Sequence, residues 1–347
     1  MYVPLIDLQE MYSRAKTDLD ELSNKNVLLT GQTGFFGIWL LSLLSYFTTL
    51  GNRSPNLYIV SRDPRSFELK FPNIVKNLRI RWIKSDIRNF QLPVDNLDYV
   101  LHGASTSASE TYNGISDLEK HQTIVDGTEH VLSLIKKRGV KSFLYLSSGA
   151  VYGGNSDANL IEEGSVANII DLNPMHTLGK AKIEAESLCN FYKLEVPKTS
   201  VKIARCFSFV GPQLPLNLHY AIGNFIQSSL QNRRIFLQSD GVAVRSYLYI
   251  GDATVWIVKA LTSRSSPHFA LHIGSELPIS IRALADLIAR ATNSEVIEAP
   301  DVVLNKSPAP NFYVPSTRLS RSLLQVSEWT TLRRGIERTM LFNLNNS

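Results

Sequence analysis

Short, unbroken apolar runs alternate with longer stretches of helical spacing along the first two thirds of the chain. Residues 8–22 place apolar side chains at helical intervals and predict a leading helix. From Asn26 onward, residues 27–30, 57–60, 78–83, 99–102, 143–146 and 201–205 read as buried strands, with helices expected over 35–50, 118–137 and 178–192. Runs that are apolar throughout, separated by amphipathic helices, require a parallel sheet covered on both faces. The expectation is therefore an α/β chain built on a doubly wound parallel sheet. After Gly211-Pro212 the alternation loosens, a helix fits near 221–230, and Gly, Pro and Asn punctuate the segment up to Arg245. Core-like composition returns at 247–261 and 269–273. This predicts a helical extension over residues 1–24, a main domain over 25–210, and a smaller, interleaved C-terminal region over 211–347 whose segments near 247–275 rejoin the main core.

With 347 residues, 44% of them hydrophobic, the chain can bury two such cores, which excludes a disordered chain. The 36 basic and 31 acidic residues are interspersed, and no basic block suggests a nucleic-acid partner. A small anionic substrate needs only one or two placed cations. Cys189 and Cys206 are too few for a disulfide scaffold and form no metal-ligand spacing with the seven histidines, so no metal is expected. No apolar run approaches a membrane span, and the polar, mixed-charge N-terminus lacks a signal pattern. The expected setting is cytoplasmic, without a membrane partner.

Gly31-Gln32-Thr33-Gly34-Phe35-Phe36-Gly37 follows the first strand at once and opens an apolar helix. A pyrophosphate needs backbone N–H donors at a helix N-terminus, and glycines permit the tight turn and the close approach. This points to a Rossmann-type dinucleotide site using Gly31, Thr33, Gly34, Phe35, Phe36 and Gly37. At the tip of the second strand, Ser61 and Arg62 offer donors and a cation for a 2′-phosphate, which favours NADP, with NAD possible through Asp63. Asp86 and Ile87, after the third strand, are placed to meet the adenine.

Further motifs carry a resemblance. They are His102-Gly103-Ala104-Ser105, Ser147-Ser148-Gly149-Ala150-Val151-Tyr152-Gly153, Ala204 to Pro212, and Arg245 to Asp252. In this order they resemble the extended short-chain dehydrogenases of the NAD-dependent epimerase/dehydratase family, whose members largely remodel nucleotide sugars. The resemblance implies that Ala104, Ser105 and Phe207 also line the cofactor, and that Ser148 holds the sugar oxygen. It maps the family lysine to Lys180, because Leu178-Gly179-Lys180 followed by Glu184 is similar to the family's Tyr-x-Leu-Gly-Lys-x-x-x-Glu helix. Lys180 would bind the nicotinamide ribose.

That register puts His176 where the family has its proton-transferring tyrosine. An imidazole can move a proton near neutral pH; the alternatives are Tyr152 or a bound water in that role, or a site without redox turnover. A second register pairs Lys182 with Glu186 but sets Leu178 at the proton-transfer position. The dehydratases of the family carry an Asp-Glu pair directly after the hydroxyl, where this chain has Gly149 and Ala150. That disfavours 4,6-dehydration, unless Glu162 or Glu163 intrudes. The resemblance further implies a diphosphate contact from Arg245, substrate contacts from Ser208, Asn217 and Leu218, and a homodimer. The expected activity is nucleotide-sugar epimerisation through a transient keto-sugar. Keto-sugar reduction or another dehydratase or decarboxylase outcome is the alternative, and a cofactor-binding sensor without turnover is the rival from another class.

Overall fold

The computed structural model describes residues 2–106, 110, 114–153, 159–165, 177–218, 220–265, 267–298 and 311–345. Helix α1 (Leu5–Leu22) precedes strand β1 (Asn26–Thr30), α2 (Phe35–Thr49) and β2 (Asn56–Ser61). Short helices α3 (Pro64–Lys70) and α4 (Pro72–Val75) lead into β3 (Arg79–Lys84) and β4 (Tyr99–His102). Then come α5 (Asp117–Lys136), β5 (Ser142–Ser148), a 3-10 turn at Gly149–Tyr152, α6 (Thr177–Glu195) and β6 (Ser200–Cys206). The C-terminal third holds β7 (Phe209–Val210), α7 (Ala221–Asn232), β8 (Arg234–Leu237), β9 (Val244–Arg245), β10 (Leu248–Tyr249) and α8 (Ile250–Thr262). It continues with β11 (Leu271–Ile273), β12 (Ile279–Ser280), α9 (Ile281–Thr292), β13 (Glu295–Glu298), β14 (Phe312–Tyr313), α10 (Arg318–Leu324) and α11 (Leu332–Leu344).

Seven parallel strands form the central sheet in the order β11-β6-β5-β4-β1-β2-β3. Successive residues face opposite sides. Leu29, Ile59, Leu101, Leu144 and Leu146 pack with α1, α2 and α8, whereas Leu28, Val60, Val100, Phe143 and Tyr145 pack with α5 and α6. Both faces are therefore buried, which is why the strands read as continuous apolar runs. The strand order reverses between β1 and β4, so a crevice opens at their C-terminal ends, where doubly wound sheets hold ligands.

Helix α1 belongs to this body. Leu8, Met11, Ala15, Leu19 and Leu22 are buried along one face, at helical intervals. Its polar side is anchored as well: Arg14 pairs with the buried Asp252 at 3.2 Å, Asp18 accepts from Thr262 Oγ1 at 2.6 Å, and Asp7 accepts from Tyr249 Oη at 2.8 Å and pairs with Arg338. No helix among the described residues is long and apolar enough to cross a membrane, and no His/Cys/Asp/Glu group there could hold a metal ion.

Candidate active site

A cavity of about 1070 Å³ occupies the crevice. One end is the glycine turn. Gly31 has φ +75°, and a Cβ there would collide with the Gly103 carbonyl and lie 2.7 Å from Ala104 N. A Cβ on Gly37 would collide with the Gln32 carbonyl. A Cβ on Gly34 would meet nothing within 4 Å. Gly31 therefore lets the turn pack against the one after β4, Gly37 closes it on itself, and Gly34 leaves room for a ligand. Gly34 is also the N-cap of α2, and no side chain caps that end. The first-turn N–H groups are left for an anion, so this cradle fits a pyrophosphate.

Below the cradle a buried relay fixes the β4 turn. Thr30 Oγ1 accepts from Gly103 N and Ala104 N, each at 3.2 Å, and lies 2.7 Å from His102 Nδ1. Thr128 spends its proton on the Ile124 carbonyl, so His102 donates from Nε2 to Thr128 Oγ1 at 3.0 Å and accepts from Thr30 at Nδ1. Burial drives His102 down to about 3, which keeps it neutral.

Thr33, Phe35, Phe36, Ser61, Arg62, Asp63, Asp86, Ile87, Ala104 and Ser105 all line the cavity, as do Gly31 and Gly34, whereas Gly37 lies behind the turn. Arg62 is half exposed and pairs with Glu110 at 2.7 Å, which raises its pKa. Asp63 caps α3 by accepting from Ser66 N at 3.1 Å, which gives that carboxylate a structural task. Asp86 is held by the Arg88 side chain and by Arg88 N, and this lowers its pKa.

At the other end, Ser148, Phe207, Ser208, Asn217, Leu218 and Arg245 line the same cavity. Ser148 Oγ accepts from Ala150 N at 3.1 Å, and a Cβ on the next residue, Gly149, would collide with the Tyr313 hydroxyl. Among the described residues, Arg245 pairs with no carboxylate. It donates to the Val244 and Asn311 carbonyls at 2.8 Å each and stands over the Tyr313 ring, and burial lowers its pKa. Asp240 accepts from Val242 N, and Asp252 is taken by Arg14 and Thr330, so neither neutralises it. A half-buried cation with no counter-charge is suited to an anionic ligand.

His176 lies outside the described residues. Lys180 sits half-buried on α6 and does not line the cavity, and Glu184, four residues on, is exposed and meets His121 at 2.9 Å. The buried stripe of α6 runs through Lys182, Ala185, Glu186, Cys189 and Tyr192. Lys182 donates to the Leu146 carbonyl at 2.8 Å, next to the Tyr145 ring, and burial lowers it to about 8. Glu186 receives Arg205 through two hydrogen bonds, at 3.0 and 2.6 Å, and accepts from Ser147 Oγ at 2.5 Å. The phase of the helix was readable in advance, because the apolar positions Ala185, Cys189 and Tyr192 extend back to Lys182 and miss Lys180.

Tyr152 is not among the cavity residues. Its hydroxyl accepts from Arg205 Nη1 at 2.5 Å and donates to His272 Nε2 at 2.7 Å, because His272 gives its Nδ1 proton to the Ser316 carbonyl. Glu163 is spent at the N-terminus of α10, accepting from Ser320 N and Oγ at 2.8 and 2.7 Å, while Glu162 pairs with Arg318. Neither acid enters the cavity lining, and the positions after Ser148 stay without a carboxylate.

A family model described as "NAD dependent epimerase/dehydratase family" matches residues 27–274. The chain belongs to the NAD-dependent epimerase/dehydratase family. Within it, the chain is 26% identical over 340 residues to UDP-glucuronic acid decarboxylase 1 of Xenopus tropicalis, covering 93% of this chain and 73% of that protein. It is 27% identical over 272 residues to dTDP-glucose 4,6-dehydratase of Streptomyces antibioticus, covering 77% of each. Among solved structures, a mutant UDP-glucuronic acid 4-epimerase from Bacillus cereus, in complex with UDP-4-deoxy-4-fluoro-glucuronic acid and NAD, superposes with a TM-score of 0.76 at 21% identity. That match covers 93% of this chain and all of the other. At that identity it shows the shared fold. Family membership explains why the two ends of the cavity face each other: the glycine turn after β1 and the hydroxyl after β5 lie on the same edge of one sheet.

Proposed function

We propose that this chain is a nicotinamide-dependent enzyme that epimerises a nucleotide-diphosphate sugar through a transient keto-sugar. The observation that carries this reading is the continuous cavity running from the open Gly34 cradle, past Ser148, to Arg245, which pairs with no carboxylate among the described residues. A bound nicotinamide cofactor would take and return the hydride. The chain's own part is to hold the pyrophosphate on the α2 amides, the sugar oxygen on Ser148 and the substrate diphosphate on Arg245, with Phe207, Ser208, Asn217 and Leu218 shaping the pocket between. We assign the lysine role to Lys182 in preference to Lys180, on its burial beside Leu146 and on the Glu186–Arg205 pair. His176, which lies outside the described residues, stays a candidate for the proton transfer in this proposal.

Keto-sugar reduction is the nearest alternative. Dehydration is disfavoured because Tyr313 and Phe207 fill the space where a side chain on Gly149 would stand. Arg62 and Ser61 support NADP as the preferred cofactor. Two free cysteines suit a reducing cytoplasm. Exposed Leu118, Phe191 and Leu194, on the packed pair α5 and α6, suit a homodimer. A second reading, a cofactor sensor without turnover, is favoured by one observation: counting four residues back from Lys182 gives Leu178, which carries no proton. Incubating the protein with a panel of nucleotide sugars, with cofactor absorbance and sugar products followed together, decides between them. Product from at least one donor is expected. Tight cofactor binding with no product from any donor would reject the enzyme.

A further inference from the structure

Tyr247 lines the cavity two residues beyond Arg245 and is only 8% exposed. Its ring packs into the apolar core. Among the described residues, no hydrogen bond engages its hydroxyl. The oxygen is not sealed in protein either, so the cavity is where its proton can be satisfied. Tyr249, two residues further on, is the contrast: its hydroxyl donates to Asp7 at 2.8 Å and is spent inside the fold. A phenol nine-tenths buried and left to the cavity for its partner points to a ligand.

Side chains alternate along this segment. Arg245 and Tyr247 face the cavity, whereas Ser246 and Leu248, each 1% exposed, point into the protein. Two residues of near-extended chain set the Cα atoms of the facing pair about 6–7 Å apart, close enough for both side chains to serve one diphosphate. Both flanks are pinned. Arg245 pairs with Ile279 of β12 on one side and Tyr313 of β14 on the other, while Leu248 pairs with Phe209 of β7 and donates its N–H to the Ser208 carbonyl at 3.0 Å. The phenol is therefore held in place without a hydrogen bond of its own, as a preorganised donor requires. The N-terminus of α7 opens on the same cavity: Tyr220, Ala221 and Ile222 line it, and the N-cap Tyr220 gives no side-chain cap. A diphosphate ester carries about two negative charges and Arg245 brings one positive, so neutral donors must hold the rest.

We propose that Tyr247 is a substrate-binding residue that donates its phenolic O–H to the diphosphate of the nucleotide sugar, beside Arg245. The inference rests on the nucleotide-sugar reading above. Burial lifts the phenol to about 12, so it keeps its proton and acts as a donor throughout the neutral range.

Calorimetry on the full chain with UDP, dTDP, GDP and CDP tests the contact without turnover. The diphosphate that binds the wild type should bind Tyr247→Phe about 20-fold more weakly, the size of a hydrogen bond to a charged group. NAD and NADP affinities should stay within about twofold. The melting temperature should stay within about a degree, because the substitution removes no hydrogen bond between described residues. The 31P resonances of the bound diphosphate should move in Tyr247→Phe. A variant that binds the diphosphate as the wild type does, a loss that falls on NAD or NADP instead, or 31P resonances indifferent to the change would each overturn the contact. A wild type that binds none of the four diphosphates would overturn the nucleotide-sugar reading, and the contact with it.

Discussion

The two ends of the cavity are built in opposite ways. The cofactor end is local: one turn of seven residues supplies the glycines and the helix N-terminus, and one buried relay, Thr30–His102–Thr128, fixes the neighbouring turn. The reaction end is assembled from afar. Ser148 comes from β5, Phe207 follows β6, Arg245 is on β9 and Tyr313 on β14. Backbone geometry sets the first end, and side-chain chemistry from four strands sets the second. Substitutions at the first should therefore act on folding or on cofactor in a way that steric arguments foresee, and those at the second should act on substrate and rate.

The strongest break falls within the cradle, between two of its glycines. Gly37→Ala drives a methyl into the Gln32 carbonyl and should deprive the chain of a stable fold, read as loss of the cooperative thermal transition. Gly34→Ala meets no protein atom and should leave the melting temperature within a few degrees, while weakening the nicotinamide cofactor about 100-fold by calorimetry. Equal effects of the two on stability would mean that the open space at Gly34 is not the ligand's.

Arg245→Ala tests the other end. Removing a half-buried cation that pairs with no carboxylate among the described residues should cost little stability but weaken nucleotide-sugar binding about 30-fold, within the range for charge-assisted contacts, and leave cofactor affinity unchanged. A loss shared by cofactor and sugar would show that the ends are coupled rather than separate.

How legible each end was follows from the same contrast. The parallel sheet could be read because strands buried on both faces leave unbroken apolar runs, and the cradle because its glycines are contiguous. Two registers of α6 compete in the sequence, because Gly179-Lys180 matches a motif while the buried stripe leading to Lys182 depends on helical phase. Tyr313 was invisible. It sits on a two-residue strand with no periodicity, it meets Arg245 only through β9–β14 pairing, and it reaches Gly149 and Phe207 only through the folded packing. Glu163 gave an ambiguous signal for the same reason, since its task at the start of α10 depends on a segment far along the chain.

A buried histidine lies under each end, which gives a smaller test. His102 beneath the cradle and His272 beneath the reaction end are both held down to about 3 by burial. Unfolded histidine titrates near 6.5. Their contribution is therefore fully present above about pH 6.5 and is lost as pH falls from there toward 3, approaching about 1.4 kcal/mol per pH unit for each. Asp252, raised to about 6 by burial, has the opposite sign: its contribution is present below about pH 4 and is lost as pH rises through 6. Two histidines, together with Lys202, which burial lowers to about 7 and which therefore also favours the folded chain at higher pH, outweigh one aspartate and should leave urea midpoints lower at pH 5.5 than at 7.5. His272→Gln should flatten that slope by about half, and a slope untouched by the change would mean that His272 is already charged in the folded protein.

The smallest effect concerns the adenosine side of the cradle. Arg62 faces the cavity but is engaged by Glu110, with Asp86 and Glu119 adding negative field. A 2′-phosphate must draw the guanidinium away from that carboxylate, so the cation supports NADP less than an unpaired arginine would. Arg62→Ala should weaken NADP about tenfold and NAD less than about twofold. Glu110→Gln should act in the opposite sense, releasing Arg62 and strengthening NADP severalfold with NAD unchanged. Calorimetry with both cofactors on both variants separates the roles. Equal losses of NADP and NAD in Arg62→Ala would remove the 2′-phosphate contact. A Glu110→Gln variant with unaltered NADP affinity would show that the ion pair yields without cost, leaving cofactor choice to Ser61 and the β2 tip.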